Sequence, residues 1–267
     1  MKYNPDKLEY QRMTKEQLDI FNSIDKELSL ELLKTERNIH ELAIDFVYQS
    51  AQLEGNTYDQ HDTRVLIESG QTAGGKLFSD AVMILNLMDN FNQILNQKSK
   101  TILSNPKLLF DFIKDCHARI SANLVLTHQS GVVRDASVLI SGTKYTPLTN
   151  KENLNSEMKY LCAVASKIEN PYEQAIYLHN NIAYLQYFVD CNKRTARSLM
   201  MFTLLSHDKF PILFCSKADY INNIINYYEN NSHYNSSADY FLKLYEQTKI
   251  KYGVTEDPII NRKPKIV

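Results

Sequence analysis

A chain of 267 residues, 43% hydrophobic and 23% charged, has the make-up of a folded globular protein of one large domain or two small ones, which excludes disordered and fibrous classes. The formal charge is −1, so no global field draws nucleic acid, and any anion site must be local. Met1 to Met13 has neither the apolar core nor the cleavage pattern of a signal peptide, and no apolar run is long enough to span a bilayer.

Glycine and proline are scarce, at 7 each, which suits a mainly α chain with short connections. Cys116, Cys162, Cys191 and Cys215 form no C-x-x-C pair. The expectation is therefore no disulfide framework and no zinc site, but a reducing, cytoplasmic setting.

In chain order, Ile39, Leu42, Ala43, Phe46, Ser50 and Leu53 recur at helical spacing before Gly55, which predicts a helix from about Asp25 to Glu54. A second helix is expected from Asp59 to Gly70, then a loop to Gly75. Ser79 is placed to cap a third, carrying Val82 to Leu95, and Pro106 to open a fourth through Ile120. Ser137 to Thr146 carries the one strand signal. Val138, Leu139 and Ile140 are β-formers, Ser141-Gly142 is turn chemistry, Lys144 to Thr146 returns, and Pro147 closes the run. A lone hairpin has no sheet to join, so it is expected to be a flap. Helices resume over Asn150 to Ile168, Pro171 to about Leu185, Asn192 to Ser206, a further one to about Asn230, and Ser236 to Tyr252, with residues 251–267 as a loose tail. One domain over 1–267 is expected: an N-terminal part to about 57, a helical core over about 79–250, and a flap over 131–147.

The informative segment runs from Gln186 to Arg197. It places an acid, an amide and three cations between two apolar helical stripes. A buried helix start carries unpaired N–H groups and the positive end of the dipole, both of which favour a phosphate. Lys193, Arg194 and Arg197 can add charge-assisted bonds, and Asp190 is the type of ligand Mg²⁺ prefers beside phosphate oxygens. A solvated basic face is the plainer alternative, since a charge run by itself specifies little.

The segment resembles the Fic family signature H-x-F-x-[D/E]-G-N-[G/K]-R-x-x-R, keeping Phe188, Asp190, Asn192, Lys193, Arg194 and Arg197. Gly131-x-x-Arg134, Val138-x-Ile140 and Tyr145-x-Pro147 are similar to the family's flap. Ser50-x-x-x-Glu54-Gly55 is similar to its inhibitory motif, in the subclass that carries it on the N-terminal side. The resemblance implies a Fic-type helical bundle with a small β-hairpin flap, and ATP with Mg²⁺ as the bound species. It also implies adenylyltransferase activity (AMPylation): transfer of AMP to a hydroxyl of a protein substrate. By the same resemblance Asp190 holds the metal, and Asn192, Lys193 and Arg194 bind phosphates. Arg197 binds the γ-phosphate or pairs with Glu54, and Val138 to Ile140 position the target.

Two departures stand out. Gln186 replaces the family histidine, and a neutral amide has no pKa near 7 with which to act as a base. His179, seven residues earlier, is about 10 Å away along a helix and cannot take its place. Cys191 replaces glycine; a β-carbon at positive φ costs about 1 kcal/mol or more, and a helix start beside cations would lower its thiol pKa. The Asn-Lys-Arg that follows resembles the Doc branch, which transfers phosphate instead. A slow AMP transferase, a nucleotide-binding pseudoenzyme, a phosphotransferase and a structural helical protein therefore remain alternatives. Tyr and Ile on the last helices serve either a homodimer surface or the core.

Overall fold

The computed structural model describes residues 1–28, 30–230 and 234–253. Among them are eleven α-helices: α1 Lys15–Glu27, α2 Glu36–Glu54, α3 Gln60–Ser69, α4 Phe78–Gln97, α5 Lys100–Ser104, α6 Pro106–Ser121, α7 Lys151–Ala165, α8 Pro171–Leu185, α9 Asn192–Ser206, α10 Lys217–Glu229 and α11 Tyr234–Tyr252. The expected tail from residue 254 onward lies outside the described residues.

The centre is the pair α8 and α9, which pack along one another. Every residue of α8 after Pro171 is buried, and in α9 only Lys193 is not. Such helices are held by tertiary burial rather than by an amphipathic stripe. Helices α6, α7 and α10 surround the pair, and α11 lies against α8. Helix α2 packs on α4 and α10, with Phe46 against Phe91 at 6.0 Å. It thereby brings its C-terminal end to the start of α9.

Local chemistry sets the ends of the helices that matter. Asn170 caps α8 by accepting from the N–H groups of Tyr172 and Glu173, and Pro171 occupies the first turn. Thr35 caps α2 through the N–H of Asn38. Gly55, at φ 89°, stops α2 and donates its N–H to the Ala51 and Gln52 carbonyls.

Three expectations need correction. The long helix from Asp25 is broken: Glu27 ends α1, a 3₁₀ turn follows over Leu30–Lys34, and the Thr35 cap starts a new helix. Ser79 is not a cap; α4 begins at Phe78 with Leu77 before it and no side chain bonding its first turn. The flap is not a hairpin, because no β-strand occurs among the described residues beyond an isolated bridge between Lys2 and Thr146. The N–H groups a ladder would use are taken elsewhere. Lys144 donates to Glu229 at 2.8 Å, Tyr145 to Thr143 Oγ1 at 3.1 Å, and Thr146 to the Met1 carbonyl at 2.7 Å. The segment remains a loop over the start of α9.

Candidate active site

Helix α8 ends at Gln186, in the left-handed region at φ 50°, and α9 begins at Cys191, also left-handed at φ 61°. Non-glycine residues there are strained by about 1–2 kcal/mol each, so the six-residue turn 186–191 between the two helices must be held in place. Asn192 does part of this. Its Oδ1 accepts from the Phe188 N–H at 3.0 Å, and its Nδ2 donates to the Phe188 carbonyl at 2.9 Å and to Gln186 Oε1 at 3.2 Å. His117 of α6 does the rest. Its ring stacks on Phe188 at 3.7 Å, its Nδ1 accepts from the Gly131 N–H at 2.9 Å, and its Nε2 bonds the Asp190 carbonyl at 3.1 Å. Nδ1 is the acceptor, so the proton is on Nε2.

Gln186 is committed as well. Its Nε2 donates to the Ala183 carbonyl at 2.7 Å and lies 3.4 Å from the Tyr228 hydroxyl. No titratable group occupies its position. Cys191 has no side-chain capping bond, and burial pushes its thiol up to about 12 against the pull of Arg194. This corrects the expectation of a lowered thiol pKa: desolvation at this helix start outweighs the nearby cations. The Cys191 N–H donates to Asp190 Oδ1 at 2.6 Å, while the Asp190 side chain itself remains 64% exposed at the mouth of the turn.

The cations differ sharply in how they are satisfied. Arg197 is fully buried; its Nε donates to Ser50 Oγ at 2.9 Å, Nη1 to the Tyr220 hydroxyl at 3.2 Å, and Nη2 to the Ser50 carbonyl at 3.0 Å and Glu54 Oε1 at 2.8 Å. The other Glu54 oxygen faces Lys193 Nζ at 3.5 Å. Arg194 is buried too, but among the described residues its one acceptor is Asp190 Oδ2 at 3.4 Å, and its Nε and Nη1 have no partner. A buried guanidinium with two idle donors leaves desolvation uncompensated and is suited to receiving an anion. Burial would raise the Glu54 carboxyl, but Arg197, Lys193 and Arg194 outweigh it and hold it down to about 2.

Above these groups is a cavity of about 350 Å³. Val138, Leu139 and Ile140 of the loop wall one side, Ile221, Ile224 and Tyr228 of α10 another, and Gln186, Asp190, Asn192, Lys193 and Glu54 form the floor. Ser50, Arg194 and Arg197 lie behind that floor, and Gly55 serves only to end α2. The structure thus gathers the residues the sequence singled out, apart from Gly55. It adds the α10 wall, Tyr220 and His117. The wall was readable from the spacing of Tyr220, Ile221, Ile224, Ile225 and Tyr228, which repeats at helical period. No sequence signal ties His117 to Phe188.

The turn, its two left-handed ends and the cations behind them come from a stretch that matches a known profile: residues 107–204 match the Fic/DOC family. That stretch, just over a third of the chain, is similar to the Fic/DOC family. The chain is 29% identical over 197 residues to the protein adenylyltransferase Fic of Nematostella vectensis, covering 70% of this chain and 44% of that protein. It is 26% identical over 171 residues to the protein adenylyltransferase fic-1 of Caenorhabditis elegans, covering 63% and 33%. The chain therefore spans less than half the length of these relatives. Among solved structures, a Fic family protein from Desulfovibrio desulfuricans superposes with a TM-score of 0.73 at 15% identity, covering 95% of this chain and 79% of that one. The Caenorhabditis elegans Fic-1 fragment superposes at 0.67 and 19%, covering 89% and 69%. These likenesses give the fold: mainly α and Fic-type. No described helix is long and apolar enough to cross a membrane.

The buried histidines carry a pH signature. Desolvation lowers His117 to about 4 and His179, bonded to Asn180 and Tyr220, to about 3. Both are neutral when folded and ordinary when unfolded, so the unfolded chain binds more protons below pH 6.5. Stability from these groups is complete above that value and falls as pH drops toward 4. Calorimetric unfolding near pH 5 in buffers of different ionisation heat should show uptake of about two protons. Uptake near zero would mean that the rings are charged or exposed in the fold.

Proposed function

We propose that this Fic/DOC domain binds ATP with Mg²⁺ and transfers AMP to a hydroxyl of a protein substrate, restrained by Glu54 and slowed by Gln186. The observation that carries this reading is the contrast between the two buried arginines. Arg197 has all three nitrogens bonded, to Ser50, Tyr220 and Glu54, while Arg194 keeps two nitrogens idle among the described residues. A triphosphate supplies acceptors for Arg194 and Lys193, and a γ-phosphate would have to displace Glu54 from Arg197 to reach it. Asp190 is a lone exposed carboxylate, and no cluster of three or more metal-ligating side chains occurs among the described residues. This fits Mg²⁺ held by one carboxylate and phosphate oxygens, where the ion neutralises phosphate charge. Val138 to Ile140 stand where an acceptor's main chain would approach, with Leu139 fully projected.

We further propose that residues 1–267 act as one domain, with a protein rather than nucleic acid or membrane as partner, singly or as a homodimer. All four cysteines are unpaired, which fits a reducing, cytoplasmic setting.

The commitment of Gln186 to Ala183 and Asn192 favours a second reading, a nucleotide-binding regulator without transfer. Label from α-labelled ATP, supplied with Mg²⁺ to the Glu54→Gly variant, separates the two. Protein-bound label that falls about 10²-fold or more in Arg194→Ala supports transfer, since one removed donor to a reacting phosphate costs that much. A thermal shift with ATP and no label supports the regulator. Label arriving only from γ-labelled ATP means phosphotransfer.

A further inference from the structure

Arg134 is 3% exposed and makes no ion pair among the described residues. Its guanidinium instead faces three carbonyl oxygens from separate parts of the chain. Nε donates to Gln186 at 2.6 Å, Nη1 to Ala136 at 2.7 Å, and Nη2 to Leu148. The Arg134 N–H takes a fourth, the Tyr187 carbonyl, at 3.0 Å. Two of these oxygens belong to the turn that follows α8, one opens the loop that walls the cavity, and one closes it. The planar fork of a guanidinium can meet carbonyls in three directions at once, which a single ammonium matches poorly.

The arrangement has two consequences. The loop over 136–148 makes no ladder of its own, so its stem is closed by Arg134. The left-handed Gln186 is strained, and its own carbonyl and that of Tyr187 are tethered to residue 134. We propose that Arg134 is a positioning residue: it fixes the acceptor-side loop to the Gln186 turn, and so sets the height of Val138 to Ile140 over the cavity floor. Arg134 does not itself line the cavity and reaches it only through the backbone carbonyl of Gln186, so it offers a nucleotide no contact of its own. That this loop receives an acceptor rests on the function proposed above; the clasp itself does not.

The chain contains no tryptophan, so Leu139→Trp, at the most exposed point of the loop, reports loop motion alone. In that background Arg134→Lys and Arg134→Ala are compared without nucleotide, by tryptophan anisotropy and by amide exchange. The expected result is lower anisotropy and roughly tenfold or faster exchange over 136–148 and 186–190, with α8 and α9 as protected as in the parent, as for a local opening. Lysine should recover part of the effect. ATP-Mg²⁺ affinity, measured with Glu54→Gly added, should stay within about threefold. Unchanged anisotropy and exchange in Arg134→Ala would overturn the proposal, and so would exchange rising equally through α8 and α9. Failure of ATP to bind in the presence of Arg134 would instead sink the nucleotide reading and leave the loop result standing.

Discussion

Replacing Glu54 with glycine is expected to tighten ATP-Mg²⁺ binding about 10- to 100-fold, the range of typical coupling between competing sites. Glu54 Oε1 occupies Arg197 Nη2 at 2.8 Å and Oε2 faces Lys193 at 3.5 Å. Both are cations that an incoming triphosphate would use. The carboxyl is held down to about 2, so it is charged at neutral and mildly acidic pH and competes there without interruption. Removing it frees one full charge for the ligand. Calorimetric titration with ATP and Mg²⁺ checks this, with Glu54→Gln as a companion that keeps the shape and drops the charge. Equal affinities in the parent and both variants would remove Glu54 from any inhibitory role.

The same substitution has a stability cost that differs from the loss of most buried ion pairs. Stripping one partner from such a pair usually costs 3–5 kcal/mol, because a bare charge remains. Arg197 would still donate to Ser50 Oγ, the Ser50 carbonyl and Tyr220. A loss of roughly 1–3 kcal/mol is the better expectation, and glycine at the last residue of α2 adds less than it would mid-helix. The sign with pH follows from the depressed pKa. The Glu54 contribution is complete above about 4.5 and disappears as pH falls toward 2, overlapping only the acid end of the window in which the histidines act.

The helices of the core were legible because their ends are written in the chain. Pro171, Pro106 and Gly55 marked boundaries that the structure repeats. Helix α1 was missed although Thr14 and Gln17 form a full capping box; its apolar face is short and its mean polarity high. The flap was misread for a different reason. Val138 to Ile140 do favour extended backbone, but strand propensity says nothing about partners, and Glu229, Thr143 and Met1 take the hydrogen bonds a hairpin needs. At the site, the residues that carry charge were legible from spacing. Those that hold the turn in its strained shape, His117 and Arg134, act across 73 and 52 residues of chain. Cys191 shows the limit from the other side: the strain could be foreseen, whereas the raised thiol pKa depended on burial, which only the packing of α6 against the turn reveals.

Gln186→His, combined with Glu54→Gly, is expected to raise the rate of AMP transfer about 10²–10⁴-fold over Glu54→Gly alone, the usual contribution of a positioned general base. The backbone permits it. Gln186 is left-handed at φ 50°, a region in which histidine is among the enriched non-glycine residues. The surroundings favour one tautomer. If one ring N–H takes over the bond that Gln186 Nε2 gives to the Ala183 carbonyl, the other nitrogen is left with a lone pair at the cavity floor, free to accept a hydroxyl proton. Asn192 keeps its two bonds to Phe188, so the turn need not loosen when its contact to residue 186 is lost. The rate should then rise with pH through the imidazole range, whereas any residual transfer with glutamine should be flat there. Steady-state label transfer across pH 5.5 to 8.5, roughly the span of an unperturbed or mildly shifted histidine, distinguishes the cases. A double variant that binds ATP and remains silent would shift the block to Cys191, which lines the cavity at φ 61°; adding Cys191→Gly to that variant would then be the substitution that restores turnover.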